Sequence, residues 1–378
     1  MDTRTAPQRL ADLAARRFPL IARSQVISRP LSTRISQIES RAGQARQNGP
    51  DGVLRAAEAL NLAALLISDL GIPQLARDLC WRQFDLFRAA GPLPSAVAQL
   101  ALQPIINIAR LRTRAGAGSA AFQLLHDLFA AVTSQTTDEL DGRTVDLSGF
   151  TLSHDDHHEI RTWLWGVLLV DGMRALARAG DWERALDHAE QLRAVGRNLG
   201  DGRQIAVLAH TFAGRYADAH LLLTQSEFAD LWEETVANCL LVLRLRMAGE
   251  NAEGVVRQMV SDFLSLDHEL PLVAVTSRLG LTVLDLSNEE GLSLDMQPVL
   301  ERLSAMATAP GGGYAARDLL KHPSSANLSQ VQLLELARAV ELGGLGRGEL
   351  PGDLRARFSV AVETSESRLS ELPPPSSR

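Results

Sequence analysis

Apolar residues recur along most of this chain in steps of three and four. In LSTRISQIESRAGQA, Leu31, Ile35, Ile38, Ala42 and Ala45 fall on one stripe, the signature of a helix that buries a single face. GIPQLARDLCWRQFDLF places Pro73 where a helix begins and its missing N–H costs least. DWERALDHAEQL opens on Asp181, a good N-cap, with Glu183 in the first turn, where the helix dipole favours an acid. Pro104 inside ALQPIINIARL predicts a kink or a fresh helix start. Period-two alternation is confined to DGRTVDLSGFTLS. There Val145 and Leu147 pair with Phe150 and Leu152 across Ser148-Gly149, a hairpin near 143–152 inserted between helices.

A longer period overlies the helical one. Glycines close several helices, and a small residue follows five positions later, early in the next: GIPQLA at 71, GAGSAA at 116, GDWERA at 180, GRYADA at 214 and GENAEG at 249. The last three glycines are 34 and 35 residues apart, and each stands between two amphipathic segments. The small positions are Ala76, Ala121, Ala185, Ala219 and Gly254, and Trp182 and Tyr216 stand just after their glycines. This pattern resembles the tetratricopeptide repeat, a helix-turn-helix unit of about 34 residues whose small residue lies where the two helices touch. The resemblance is clearest over 160–265 and weaker over 52–133; the family's closing proline is missing and its first-helix pattern is degenerate.

The resemblance implies an all-α, tetratricopeptide-like superhelix in which stacked helix pairs share one core. Residues 29–366 would form it, with a sub-boundary near 134–152. A basic, weakly structured arm would occupy 1–28, and a disordered tail 367–378. Gly311 to Gly313 and GGLGRG at 343–348 read as flexible breaks. In the family the first helix of each pair lines a concave groove. The family's groove positions carry over here to Asn61, Gln103, Arg110, Arg114, Arg174, Arg178, Gln204 and Arg246, among apolar residues such as Leu208, Phe212 and Leu243. Arginines there suit bidentate contacts to carboxylate. The resemblance therefore implies a non-catalytic scaffold or adaptor that captures an acidic peptide or protein segment.

Composition narrows the chemistry. Alanine and leucine dominate and aromatics make up 4%, which favours closely packed helices over sheets. The net charge of -7 gives no global reason to expect nucleic acid. Lys321 is the one lysine, so no Gly-Lys phosphate loop exists; the arginine preference fits a GC-rich genome. Cys80 and Cys239 lie in helical patterns and match no zinc spacing. No apolar run reaches the length of a membrane span and the N-terminus has no signal-type apolar core, so a cytoplasmic location is expected, with no membrane contact.

Three stretches compete with the scaffold reading. SHDDHHEI, residues 153–160, offers His154, Asp155, His157, His158 and Glu159 as metal ligands, and it is the basis of an alternative as a helical metal-dependent biosynthetic enzyme or accessory protein. The zincin spacing fails at Thr162, whereas Ser153 and Asp156 form a capping-box arrangement at the start of a helix, the preferred reading. GAGSAA at 116 formally matches a dinucleotide fingerprint, yet RLRTRA before it is too charged for the buried strand that fingerprint requires. The first fifty residues carry nine arginines against Asp2, Asp12 and Glu39, without a helix-turn-helix or interleaved aromatics, so the arm is expected to pack on the helices or on a partner rather than on nucleic acid. A further alternative is a peptide- or ligand-sensing regulator acting through a DNA-binding partner. No cofactor and no catalytic residue is assigned, and the oligomeric state is open.

Overall fold

The computed structural model describes residues 5–21, 27–47, 49–266, 273–288 and 294–372. Among them the chain is predominantly helical, with one two-stranded sheet. The helices are α1 (Ala6–Arg17), α2 (Leu31–Gln44), α3 (Pro50–Asp69), α4 (Pro73–Ala89), α5 (Ser95–Arg114), α6 (Gly118–Ser134), α7 (His154–Ala179), α8 (Trp182–Gln191) and α9 (Asp201–Phe212). They continue with α10 (Tyr216–Thr224), α11 (Leu231–Met247), α12 (Glu253–Ser265), α13 (Val273–Ser287), α14 (Gln297–Thr308), α15 (Gly313–Leu320), α16 (Gln330–Leu342) and α17 (Gly352–Ser370). Strands β1 (Thr137–Leu140) and β2 (Arg143–Asp146) lie between α6 and α7. None of the described helices is long and apolar enough to cross a membrane.

Five inter-helix turns share one hydrogen-bond pattern. Gly71, Gly116, Gly180, Gly214 and Gly249 all have positive φ. In each, the glycine N–H donates to the carbonyl three residues back and the next N–H to the carbonyl five back, as with Gly180 to Ala177 (3.1 Å) and Asp181 to Leu176 (3.0 Å). This is the Schellman closure, which satisfies two orphan carbonyls and needs a left-handed residue. After the first four turns a new helix starts two residues beyond the glycine, and the fifth residue, Ala76, Ala121, Ala185 or Ala219, has no exposed surface. An alanine there leaves room for close approach of the paired helix.

The fifth turn departs from the expectation. Helix α12 starts at Glu253 with Ala252 as its N-cap, two residues later than the pattern. The equivalent buried position is therefore Val256, with no exposed surface, while Gly254 faces open space.

The chain divides into two compact units. In unit 1 (1–29 and 176–343), α8 to α16 pack consecutively, and helices two apart also touch, α9 on α11 and α11 on α13. That is the packing of a helical repeat. The post-glycine aromatics bind successive pairs together: Trp182 stacks on Phe212 (5.8 Å between centroids, 20° between planes), and the Tyr216 hydroxyl donates to the Met247 carbonyl (2.8 Å). In unit 2 (30–175 and 344–378), α2 to α6 pack consecutively and α17 returns onto α2, α3 and α4. One unbroken array over 29–366 is thus corrected: the last helix belongs with the earliest pairs.

Several local expectations also change. Residues expected as a weakly structured arm contain α1, whose Thr5 and Gln8 form a capping box; Pro7, which reads as a break, lies in the first turn, where its missing N–H costs least. The tail expected from 367 is helical to Ser370, and its residues from 373 lie outside the described residues. Pro104 lies inside an uninterrupted α5. GGLGRG is pinned, not loose: Gly346 donates to the Asp69 carbonyl (2.8 Å) and Gly348 to that of Leu70 (2.7 Å). Gly311 and Gly313 likewise admit close approach by Ile27 and Ser28.

The hairpin turns at Asp141-Gly142, upstream of the expected Ser148-Gly149, with β1 supplying the first strand. Both turn residues have positive φ, 57° and 74°, as the tightest hairpins demand. The fully buried Asp141 carboxylate accepts bonds from Arg77, Trp81 and Arg112, fastening the hairpin tip to α4 and α5.

The alanine position gives a direct test. Ala185→Leu should overpack unit 1 and cost about 1–3 kcal/mol in urea unfolding followed by Trp fluorescence. Gly254→Ala, in open helical space, should stabilise by about 0.4–1 kcal/mol in the same assay.

Candidate functional site

In unit 2 the first helices of successive pairs set their polar residues against one another. Asn61 on α3 accepts from the Asn107 amide on α5 (3.2 Å), and Gln103, one turn earlier on α5, donates to Asn107 (3.0 Å). Arg110, another turn on, reaches Asp171 on α7 (2.8 Å), and Arg174 approaches the same carboxylate at 3.8 Å. A second cluster forms around Asp69, whose side chain is 2% exposed and accepts from Arg34 (2.7 Å) and Arg114 (3.0 Å). In each cluster one carboxylate is shared by two guanidiniums. Arg110 and Arg114 keep 48% and 47% of their side-chain surface exposed.

Five of the predicted groove residues, Asn61, Gln103, Arg110, Arg114 and Arg174, therefore belong to this face. Sequence reasoning missed Asn107, Asp171 and Asp69. A signal was there: Asn107 and Asp171 both stand nine residues before their turn glycines, and Asp69 stands two before its own, as Arg114 does.

In unit 1 the corresponding positions are already engaged by the chain's own N-terminal segment. Gln204, which has no exposed surface, accepts from the Leu20 N–H (2.8 Å) and donates to the Leu20 carbonyl (2.6 Å) and to that of Leu199 (3.0 Å). Its expected role as an open groove residue is corrected: the side chain is buried and its amide is spent on Leu20 and Leu199. Arg178 donates to the Ala15 carbonyl (3.2 Å), and Arg278 on α13 donates to that of Arg17 (2.7 Å). Burial holds the Arg178 pKa below its ordinary value, and the neighbouring Arg16 and Arg17 charges add to this. Arg246 is half-buried on α11, and Leu208 and Leu243 are core residues.

Asp285 on α13 receives the segment's arginines, Arg17 at 2.7 Å and Arg16 at 3.8 Å. The buried His322 ring also meets it at 3.1 Å. Because the other ring nitrogen of His322 accepts from the Ser324 N–H (3.2 Å), Nε2 carries the proton and donates to Asp285. Burial pushes the Asp285 pKa up, but the bonds from His322 and Arg17 and the Arg17 charge outweigh it and leave the carboxyl below its usual range.

SHDDHHEI begins α7. The Asp156 N–H donates to Ser153 Oγ (3.1 Å), the Ser153 hydroxyl donates to Asp156 (2.6 Å), and the other Asp156 oxygen accepts from the Ser95 N–H at the start of α5 (2.7 Å). His154, Asp155, His158 and Glu159 are exposed and His157 is half-buried. Burial first, then the Arg161 and His154 charges, lower the His157 pKa. Among the described residues no three His, Cys, Asp or Glu side chains are grouped to hold a metal ion. GAGSAA follows helix α5 rather than a strand. Both thiols are buried; burial pushes the Cys80 pKa up to about 12 and raises that of Cys239 further, which leaves them poor nucleophiles.

Comparison with protein-family models, with curated proteins and with solved structures finds no match to this chain.

Asp285 makes unit 1 sensitive to acid. Because folding lowers its pKa, its contribution is complete above the unfolded-chain value of about 3.9 and disappears as pH falls through the lower folded value. The stability gap between the protein and its Asp285→Asn variant, measured by urea unfolding, should be constant near neutrality and close below about pH 4.

Proposed function

We propose that this protein is a non-catalytic interaction scaffold that captures an acidic peptide or protein segment on the arginine-bearing face of α3, α5 and α7 in unit 2. The observation that carries the reading is the alignment of Asn61, Gln103, Asn107, Arg110 and Arg174 across three first helices, with two guanidiniums to each carboxylate. Side-chain amides suit the backbone of an extended segment, and half-exposed guanidiniums suit its carboxylates. The tetratricopeptide-like reading of the repeat agrees with this use of first helices, and unit 1 supports it by analogy, since the same register there holds a polypeptide main chain through Arg178 and Gln204. Binding of this kind is equilibrium capture, with specificity from the spacing of the charges rather than from a deep cavity.

Fluorescence anisotropy with a labelled glutamate-rich peptide tests the assignment. Arg110→Ala with Arg114→Ala should weaken binding by about tenfold or more, and salt should weaken it in the native protein. Thermal stability should change little, because both side chains are half-exposed and Arg34 still pairs with Asp69. Equal affinity for the native and substituted proteins would remove the arginine face from the reading.

A further inference from the structure

The N-terminal segment of unit 1 is bound in the manner of a ligand. Its contacts run from scaffold side chains to segment main chain: Arg178 to the Ala15 carbonyl, Arg278 to the Arg17 carbonyl, and Gln204 to both the N–H and the C=O of Leu20. Four carbonyl or amide groups are thus read by three helices, α7, α9 and α13. The segment also carries its own conformational signals. Thr5 and Gln8 cap α1, Pro7 lies in its first turn, and Arg16 and Arg17 complement the dipole at its end. After Arg17 the chain leaves the helix with Phe18 in extended backbone, and Phe18, Pro19 and Leu20 are buried. Helix α1 touches α11 and α13.

Asp285 is the carboxylate that takes Arg16 and Arg17, and the same two charges press against Arg178. His322 meets the other oxygen of Asp285, so the scaffold supplies the carboxylate with a contact of its own beside that of the segment's Arg17. A main chain held by side chains of a separate helical array, with a charged anchor at Asp285 and an apolar plug, is the chemistry of a helical peptide laid on a helix face.

We infer that the face formed by Arg178, Gln204, Arg278 and Asp285 is a second segment-binding surface, and that residues 5–21 are its resident, displaceable occupant. It fits a short helix that closes on two arginines and continues as an aromatic-proline-leucine run, the opposite charge preference from unit 2. The inference extends the scaffold reading to a second surface but uses none of the unit 2 arginines. A partner segment of this chemistry competes with residues 5–21, and its apparent affinity is reduced by the fraction of molecules in which the segment is seated.

The test uses the full-length chain and a fluorescein-labelled synthetic peptide of residues 5–21. In Phe18→Asp the tethered segment loses its plug; in Arg16→Ala with Arg17→Ala it loses its anchor while exposing no apolar surface. The labelled peptide should bind at least one of these variants saturably, about tenfold or more tightly than the native chain, and adding Gln204→Ala should abolish that binding. Absence of saturable binding to both variants, with helical circular dichroism and hydrogen-exchange protection of α9 to α13 retained, would overturn the inference. So would global unfolding of both, since an occupant can leave without dissolving its receptor. Arg110, Arg114 and Arg174 are intact in every chain used, so this outcome and that of the glutamate-peptide experiment are read separately.

Discussion

The architecture depends on a tight glycine closure followed by an alanine contact. A helix ends when its last carbonyls find donors, and a left-handed glycine presents two N–H groups to them within one turn. The chain then reverses into a new helix whose fifth residue after the glycine lies against the old one. Ala76, Ala121, Ala185 and Ala219 are fully buried there, and a larger side chain would push the axes apart. Repeating the closure brings corresponding positions of successive first helices side by side. At Gly249 two extra residues shift the start of α12, and the buried role passes from Gly254 to Val256, which shows that helix phase, not residue count, governs the contact.

That juxtaposition explains why polar residues far apart in sequence meet. Asp69 and Arg114 stand at the same distance before their glycines and form an ion pair; Asn107 and Asp171 share another register. The two units use the arrangement differently. In unit 2 the face carries amides and paired guanidiniums, of which those of Arg110 and Arg114 remain half-exposed. In unit 1 it is filled by the chain's own N-terminal helix, whose carbonyls satisfy Arg178 and Arg278 and whose Leu20 satisfies both ends of the Gln204 amide. A buried amide left without such partners would cost about 1–3 kcal/mol, so the segment also completes the polar bookkeeping of the face it covers.

The SHDDHHEI stretch illustrates how local chemistry is resolved by local geometry. Ser153 and Asp156 exchange bonds across the first turn of α7, and Asp156 also receives the Ser95 N–H. Its acids serve a helix terminus, where both dipole and orphan donors call for them, while His154 and His158 are exposed and His157 is half-buried.

Helices, turns and the repeat were legible in the sequence because each rests on interactions within a few residues: apolar stripes, proline at the first turn of α4, Asp181 at the cap of α8, and glycine at each closure. The hairpin was legible too, but its register followed the Asp-Gly pair at 141–142, a stronger turn signal than Ser148-Gly149. Of the candidate face, the positions counted back from the glycines named Asn61, Gln103, Arg110, Arg114 and Arg174, which the structure brings into two polar clusters. What the sequence could not show is who meets them. The return of α17 onto α2 to α4, the seating of residues 5–21 on Gln204 and Arg178, and the meeting of Arg17 with Asp285 join residues separated by many helices, and even Arg110 meets Asp171 across a helix and a hairpin. Local propensity is set by near neighbours along the chain, whereas these pairings follow from how whole helices stack, and that only the tertiary structure decides.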